Sequence, residues 1–305
     1  MNSGLTTRLP RPMGASPSPK LIARRAEIQG LADPMPSAPF ASVSASRLGA
    51  KHTRCFAVAG SEQTIARVLY VHGGAFCLLR AEPYLKMAGH LATAARSQVV
   101  IPDYEISPES PFPGPVLEVL SVWAALSESG ASRPFVLAGD SAGANIALAA
   151  LRLASEEGLS MPDLVVLFSP WLDLTLSGRS VAENASLDTS LDVESLAEDA
   201  ALYAAGASLD HPLVSPIEIP SPVHPPLVIQ AGGDEILVDD ARRLAASAAG
   251  HGVPVDLDVA AGMQHNYQFW GPLEPQALRS YQSVFTRIAE LAGGRDLEDA
   301  PAGIQ

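Results

Sequence analysis

The sequence predicts an α/β fold, with a mostly parallel sheet covered on both faces by helices. Three observations lead there. Short apolar or β-branched runs recur along the chain without the alternation of a half-exposed strand. Amphipathic helical stretches separate them, as a parallel sheet buried on both sides requires. Hydrophobic residues make up 47 % of the 305 residues and charged ones 17 %, enough apolar material for a large core.

The elements follow in order. Residues 1–17 are rich in Ser, Pro and Gly and are expected to be loose. Ser18-Pro19 then supplies an N-cap and a proline at the first helical position, and Leu21, Ile22 and Ile28 mark a short amphipathic helix closed by Gly30. A linker with Pro34, Pro36 and Pro39 follows. Strands are expected at 53–58, 66–72, 99–103, 135–138, 164–168, 227–231 and 255–259, the first two joined by a turn at Gly60-Ser61. Helices are expected near 83–96, 115–128, 142–157, 239–250 and 273–292. Between Leu174 and Leu227 the alternation breaks: no strand is evident, but 193–205 reads as a helix capped by Asp192 and stopped by Gly206. Leu196, Ala200 and Tyr203 would share its buried face. The division expected is 1–42 as an N-terminal cap segment, 43–174 with 214–292 as the core, 175–213 as a cap insertion and 293–305 as a frayed, acidic tail. No internal repeat is present.

The net charge of −13 and the absence of a basic cluster argue against nucleic acid, whose binding rests on neutralising phosphates. The N-terminus carries several arginines but no apolar core of a signal peptide, and no run reaches the length of a membrane span. Stable membrane insertion is therefore not expected. Cys55 and Cys77 sit in apolar surroundings outside any metal-ligand spacing, which suggests free thiols in a cytoplasmic protein.

The chemistry centres on Gly139-Asp140-Ser141-Ala142-Gly143, between a strand and a helix. Small residues around a serine allow a sharp strand-to-helix turn that lifts the hydroxyl out of the sheet as a nucleophile, while a helix N-terminus favours developing negative charge. A serine needs a base. His265, in Gly262-Met263-Gln264-His265-Asn266 just after the last strand, is the best placed of seven histidines. His90 falls within a helix, while His211, His224 and His251 are expected to face solvent and His52 lacks a partner motif. The orienting acid should lie between serine and histidine in the chain. Asp234, which follows a strand through Gly232-Gly233, is the first choice, and Glu235 is the serious alternative; Asp239 and Asp240 read as charges at a helix start. His72-Gly73-Gly74-Ala75-Phe76 follows the strongest strand, and the N–H groups of Gly73 and Gly74, with that of Ala142, are expected to form an oxyanion hole. His72 could serve as a second base but more simply shapes this loop. No phosphate-binding glycine loop and no metal-ligand spacing appears.

Together these segments resemble the hormone-sensitive-lipase-like family of α/β-hydrolases, the microbial family IV esterases with HGG and GDSAG motifs. The resemblance runs from about residue 43 to 290. Besides the segments above it rests on Asp103-Tyr104-Glu105-Ile106-Ser107-Pro108-Glu109 with Pro111-Phe112-Pro113, on Ser169-Pro170-Trp171-Leu172-Asp173-Leu174, and on Gly233-Asp234-Glu235-Ile236-Leu237 with Asp239-Asp240. It implies the α/β-hydrolase fold, an eight-stranded, mostly parallel sheet with a helical cap, a triad of Ser141, Asp234 and His265, and no cofactor. It also implies hydrolysis of short- to medium-chain acyl esters, and homodimers are possible. Glu109, Trp171 and Asp173 fall on motif positions and read as structural supports. Three departures stand out: Ala75 replaces a third glycine, Leu79-Arg80 replaces a small pair near the acyl pocket, and Glu105-Ile106-Ser107 replaces Arg-Leu-Ala.

The expected reaction is acyl transfer through an acyl-enzyme intermediate. An amidase or arylformamidase with the same triad is the nearest alternative. A small-molecule receptor on this fold is another, although such receptors lose the histidine that is present here as His265. The helices near 19–29 and 193–205 have apolar faces and no strand to join. The sheet edge beside Ser141 is where they could bury them, and a lid there would favour acetyl to hexanoyl esters over long-chain triglycerides.

Overall fold

A computed structural model describes residues 9, 12–30, 42–60, 63–128, 134–218 and 224–293. The proline linker at Pro34, Pro36 and Pro39, Ser61 of the expected turn, and the acidic tail past Gly293 lie outside them.

Eight strands form one sheet: β1 (Ser42–Leu48), β2 (Thr53–Ala59), β3 (Ala66–Val71), β4 (Ser97–Pro102), β5 (Phe135–Asp140), β6 (Leu164–Phe168), β7 (Leu227–Gly232) and β8 (Val255–Ala260). Their order is β1-β2-β4-β3-β5-β6-β7-β8. The β1–β2 and β2–β4 pairs are antiparallel and all others parallel. The helices are α1 (Pro19–Gly30), α2 (Leu85–Ala94), α3 (Gly114–Glu128), α4 (Ser141–Glu156), α5 (Arg179–Glu183), α6 (Val193–Ala204), α7 (Val238–Gly250) and α8 (Pro275–Leu291). This is the α/β-hydrolase architecture.

Successive strand residues point to opposite faces, and here both faces are buried. Val68, Tyr70, Val136, Val166 and Phe168 pack with α2 and α8 on one side. Leu69, Val71, Leu137, Val165 and Leu167 pack with α3, α4 and α7 on the other. Neither face has to be polar, so the central strands read as unbroken apolar runs.

The strand that the sequence reading missed is β1. It lies at the sheet edge with nearly every residue exposed, so its Ser42-Val43-Ser44-Ala45-Ser46-Arg47-Leu48 sequence needs no apolar face and leaves no periodic signal. In α1, Ser18 Oγ accepts the Leu21 N–H as expected, and Leu21 is buried. Ile22, expected on the same face, is 53 % exposed, because it lies about 100° around the helix from Leu21. Asp192 caps α6 by accepting the Ser195 N–H, and Leu196, Ala200 and Tyr203 are all buried. The stop comes one residue before Gly206, with Ala205 already left-handed at φ 48°.

Helices α1 and α6 lie against each other over the C-terminal ends of the strands. Arg24 makes a two-pronged ion pair with Asp199, both bonds 2.8 Å, and Lys20 reaches Glu198 at 2.6 Å. Arg25 holds α1 to the body through Glu109, Cys77 O and Ser107 O. The Tyr203 ring of α6 stacks on Phe76 at 3.9 Å between centroids.

Candidate active site

Ser141 is the hinge between β5 and α4. Its φ of +50° is the left-handed region that non-glycine residues avoid, so the turn is strained and must be held from outside. The hold is close packing: a Cβ on Gly143 would sit 2.2 Å from Val71 O and 2.3 Å from His72 O. Only glycine lets the first turn of α4 rest against the end of β3.

His265 enters from the loop after β8. Its Nδ1 is 2.9 Å from Glu235 Oε2 and its Nε2 is 3.0 Å from Ser141 Oγ. A carboxylate can only accept, so Nδ1–H donates to Glu235. That leaves Nε2 to accept the serine hydroxyl, the tautomer a general base needs. Ser141 and His265 are therefore brought together as the sequence suggested. The acid is a correction: the carboxylate on His265 belongs to Glu235, not Asp234.

The chain explains why. After β7 the backbone stays paired with the loop beyond β8, Gly233 N–H donating to Ala260 O and Asp234 N–H to Met263 O. Asp234 is thus still in the pairing register, with its side chain half-buried, and the next residue turns inward. The Glu235 side chain is fully buried, and its second oxygen, Oε1, has no hydrogen-bond partner among the described residues.

The oxyanion loop needs a second correction. Gly73 N–H is spent on Asp140 Oδ1 at 2.9 Å and cannot serve a substrate. Gly74, at φ +106°, and Ala75, at φ +50°, turn their backbone toward the cavity that Ser141 and His265 also line. Their N–H groups have no bond to protein among the described residues. Ala142, the second residue of α4, has an N–H without an intrahelical acceptor. The donor set supported by the geometry is Gly74, Ala75 and Ala142.

Asp140, which the sequence reading passed over, ties these parts together. Its buried carboxylate accepts from Tyr70 Oη (3.0 Å), Gly73 N (2.9 Å), Tyr84 Oη (3.2 Å) and Asn266 Nδ2 (3.0 Å). One side chain thereby joins the elbow, the oxyanion loop and the histidine loop. Burial pushes its pKa up to about 6, against the downward pull of those donors. His72 is fully buried, which lowers its pKa to about 4, so the ring is neutral at neutral pH. It stacks on Tyr104 at 4.1 Å and donates from Nδ1 to Gly73 O, shaping the loop rather than acting as a base.

Asp240 also departs from expectation. It is no solvated helix-start charge: it is buried, with Oδ2 accepting Leu172 N–H (2.7 Å) and Asp173 N–H (2.9 Å), and burial pushes its pKa up to about 7. Asp239 does behave as a helix-start charge, accepting Ser180 N–H and pairing with Arg242. The supports hold: Trp171 is buried, and Asp173 takes Arg243 at 2.6 Å. Leu79 lines the cavity while Arg80 turns away to Asp103 and Glu105. Of the remaining histidines, His251 is exposed, but His211 and His224 are half-buried, their Nδ1 atoms bonded to Leu213 N and Pro225 O.

The cavity measures about 710 Å³. Gly74, Ala75, Ser141 and His265 form its floor, Met87 and Phe269 an apolar side, and Ile28 and Leu196 its roof.

Comparison with known proteins bears on the family and the fold. Residues 68–269 match the family described as alpha/beta hydrolase fold. An acetyl-hydrolase of Streptomyces hygroscopicus is 36 % identical over 225 residues, covering 73 % of this chain and 75 % of its own. An esterase of Acinetobacter venetianus is 32 % identical over 297 residues, covering 96 % and 94 %. The crystal structure of an esterase from the bacterial hormone-sensitive lipase family superposes with a TM-score of 0.80 at 29 % identity, covering 92 % of this chain and 100 % of that one. With its sheet order, its strained serine elbow and these relatives in agreement, the chain belongs to the α/β-hydrolase family, in the hormone-sensitive-lipase-like branch of ester hydrolases.

Proposed function

We propose that this protein is a serine carboxylesterase for short- to medium-chain acyl esters, working through an acyl-enzyme. The observation that carries the reading is the hydrogen-bonded row Ser141–His265–Glu235 on the cavity floor. His265 Nε2 takes the hydroxyl proton as Ser141 Oγ attacks the ester carbonyl carbon. The N–H groups of Gly74, Ala75 and Ala142 receive the oxyanion, and Glu235 stabilises the imidazolium. The imidazolium then protonates the departing alkoxide. Water, deprotonated by the same nitrogen, releases the acid and restores the serine.

The apolar lining of Leu79, Met87, Leu191 and Phe269 suits an acyl chain, and the acetyl-hydrolase name of one relative supports the short range from acetyl to hexanoyl. Two buried thiols without a disulfide support a cytoplasmic location. Association of two copies would be read by light scattering.

A fluorophosphonate should label Ser141 and leave Ser141→Ala unlabelled, while a series of p-nitrophenyl esters should show highest kcat/KM at six carbons or fewer. Labelling that survives in Ser141→Ala would remove this serine from the mechanism. Faster turnover of matching anilides than of esters would replace the esterase with an amidase.

A further inference from the structure

Segment 184–191, between α5 and α6, crosses both loops that supply the acid and the base. Asn184 Nδ2 donates to Gly233 O (3.0 Å) and to Glu235 O (2.9 Å). Asp188 is buried; its Oδ1 accepts the N–H groups of Ser190 and Leu191, and its Oδ2 accepts Ile236 N–H at 2.8 Å. On the histidine side, Gln264 Oε1 accepts Thr189 N–H (2.8 Å) and its Nε2 donates to Leu187 O (3.0 Å). Backbone groups on both flanks of Glu235, and the residue before His265, are thus fastened to one short stretch of chain.

The fastening matters because of what Glu235 lacks. Its carboxylate has one hydrogen-bond partner, His265, and Oε1 has none among the described residues. Its side chain is therefore aimed by its backbone rather than by neighbours gripping the carboxylate, and the strap fixes that backbone. Farther along the same stretch, Ser190, Leu191 and Asp192 line the cavity.

We propose that segment 184–191 is a strap that sets the acid against the base, with Asn184 and Asp188 as positioning residues for Glu235 and Gln264 as the anchor on the His265 side. The strap also links the cavity wall to the triad, because residues 190–192 continue from the turn that Asp188 closes. The inference rests on Glu235 being the working acid.

The test uses the full-length protein. Asp188→Asn keeps one acceptor oxygen for Ser190 and Leu191 but turns an amide N–H₂ toward Ile236 N–H, breaking the tie to the acid loop alone. We expect kcat on p-nitrophenyl acetate to fall roughly 10- to 100-fold, in the range seen when groups that orient a catalytic residue are removed, with KM changed less than threefold. The acid limb of the kcat/KM profile should move to lower pH, since a misaimed carboxylate stabilises the imidazolium less. Gln264→Leu, which cuts the strap from the opposite side at a more exposed position, should shift kcat and the limb in the same direction and covers the case in which Asp188→Asn folds poorly.

Made in a Glu235→Gln background, Asp188→Asn should cost nothing further, because there is no carboxylate left to aim. An additive loss in that double variant, a change in KM alone, or an unmoved acid limb in both single variants would overturn the strap. Wild-type activity in Glu235→Gln alone would instead overturn the choice of acid on which it rests.

Discussion

Ser141 and the hydrogen-bonded pair of Glu235 and His265 are held in two different ways. The elbow is local. Strand β5, Ser141 and helix α4 are consecutive in the chain, packed at the centre of the sheet, and clamped by the close approach of Gly143 to the end of β3. The acid–base side is assembled at a distance. Glu235 and His265 sit on loops after β7 and β8, at the border of the sheet, and both loops are tied to segment 184–191 through the side chains of Asn184, Asp188 and Gln264. A central element can be specified by its own sequence, since its neighbours are strands that bury it on every side. A border element needs ties from elsewhere in the chain, and its geometry depends on residues that look unremarkable in sequence.

The largest effect that could break this contrast lies on the border side. Glu235→Gln should lower kcat by on the order of 10³–10⁴, the loss expected when the histidine keeps its place but loses its orienting anion. Asp234→Asn should stay within about threefold of wild type, as an ordinary substitution away from the reacting groups. Steady-state kinetics of both variants on one ester decide it; the reverse pattern would return the acid to Asp234.

Next comes Asp240, which reaches from the first turn of α7 to the backbone at Leu172 and Asp173, close to where Trp171 N–H meets Ser141 O. Burial pushes its pKa up to about 7. Between about pH 4 and pH 7 the folded chain keeps this proton while the unfolded chain releases it, so folding stability should fall as pH rises, at up to about 1.4 kcal/mol per pH unit from this group. Below that window both states hold the proton and the dependence from Asp240 vanishes. Asp140, pushed up to about 6, adds a fall of the same sign over the lower part of it. Denaturant titrations at several pH values should show a shallower decline in Asp240→Asn. An identical slope in the variant would mean that Asp240 is ionised in the fold.

The smallest effect tests the elbow. Gly143→Ala places a methyl group 2.2 Å from Val71 O, so α4 must shift away from β3. The expected cost is about 1–3 kcal/mol, the usual range for overpacking, read as a lower midpoint in urea. Loss of fluorophosphonate labelling out of proportion to the lost stability would show the serine displaced. A variant as stable as wild type would show that the elbow is not clamped there.

Much of this contrast was already visible in the chain itself. The parallel core strands, α6 with its Asp192 cap, Ser141 and His265 are all set by short-range sequence: apolar runs, a side-chain oxygen before a helix, small residues around a serine, a histidine just past a strand. Each signal belongs to a few neighbouring residues and so survives without any knowledge of the fold. Four features do not. Strand β1 is exposed on both faces and exists because β2 pairs with it, so its composition carries no pattern. Asp234 and Glu235 are adjacent carboxylates, and which one turns inward depends on how far the β7–β8 pairing continues, settled by the Asp234–Met263 backbone bond. Gly73 suits the oxyanion hole by its residue type, yet its N–H is claimed by Asp140, 67 residues away in sequence. Asp188 meets Ile236 of the acid loop, and Gln264 meets Leu187 and Thr189, only after the chain has folded. Local backbone preference is written residue by residue, whereas the choice of partner for a buried polar group is made by whatever long-range packing places within about 3 Å of it.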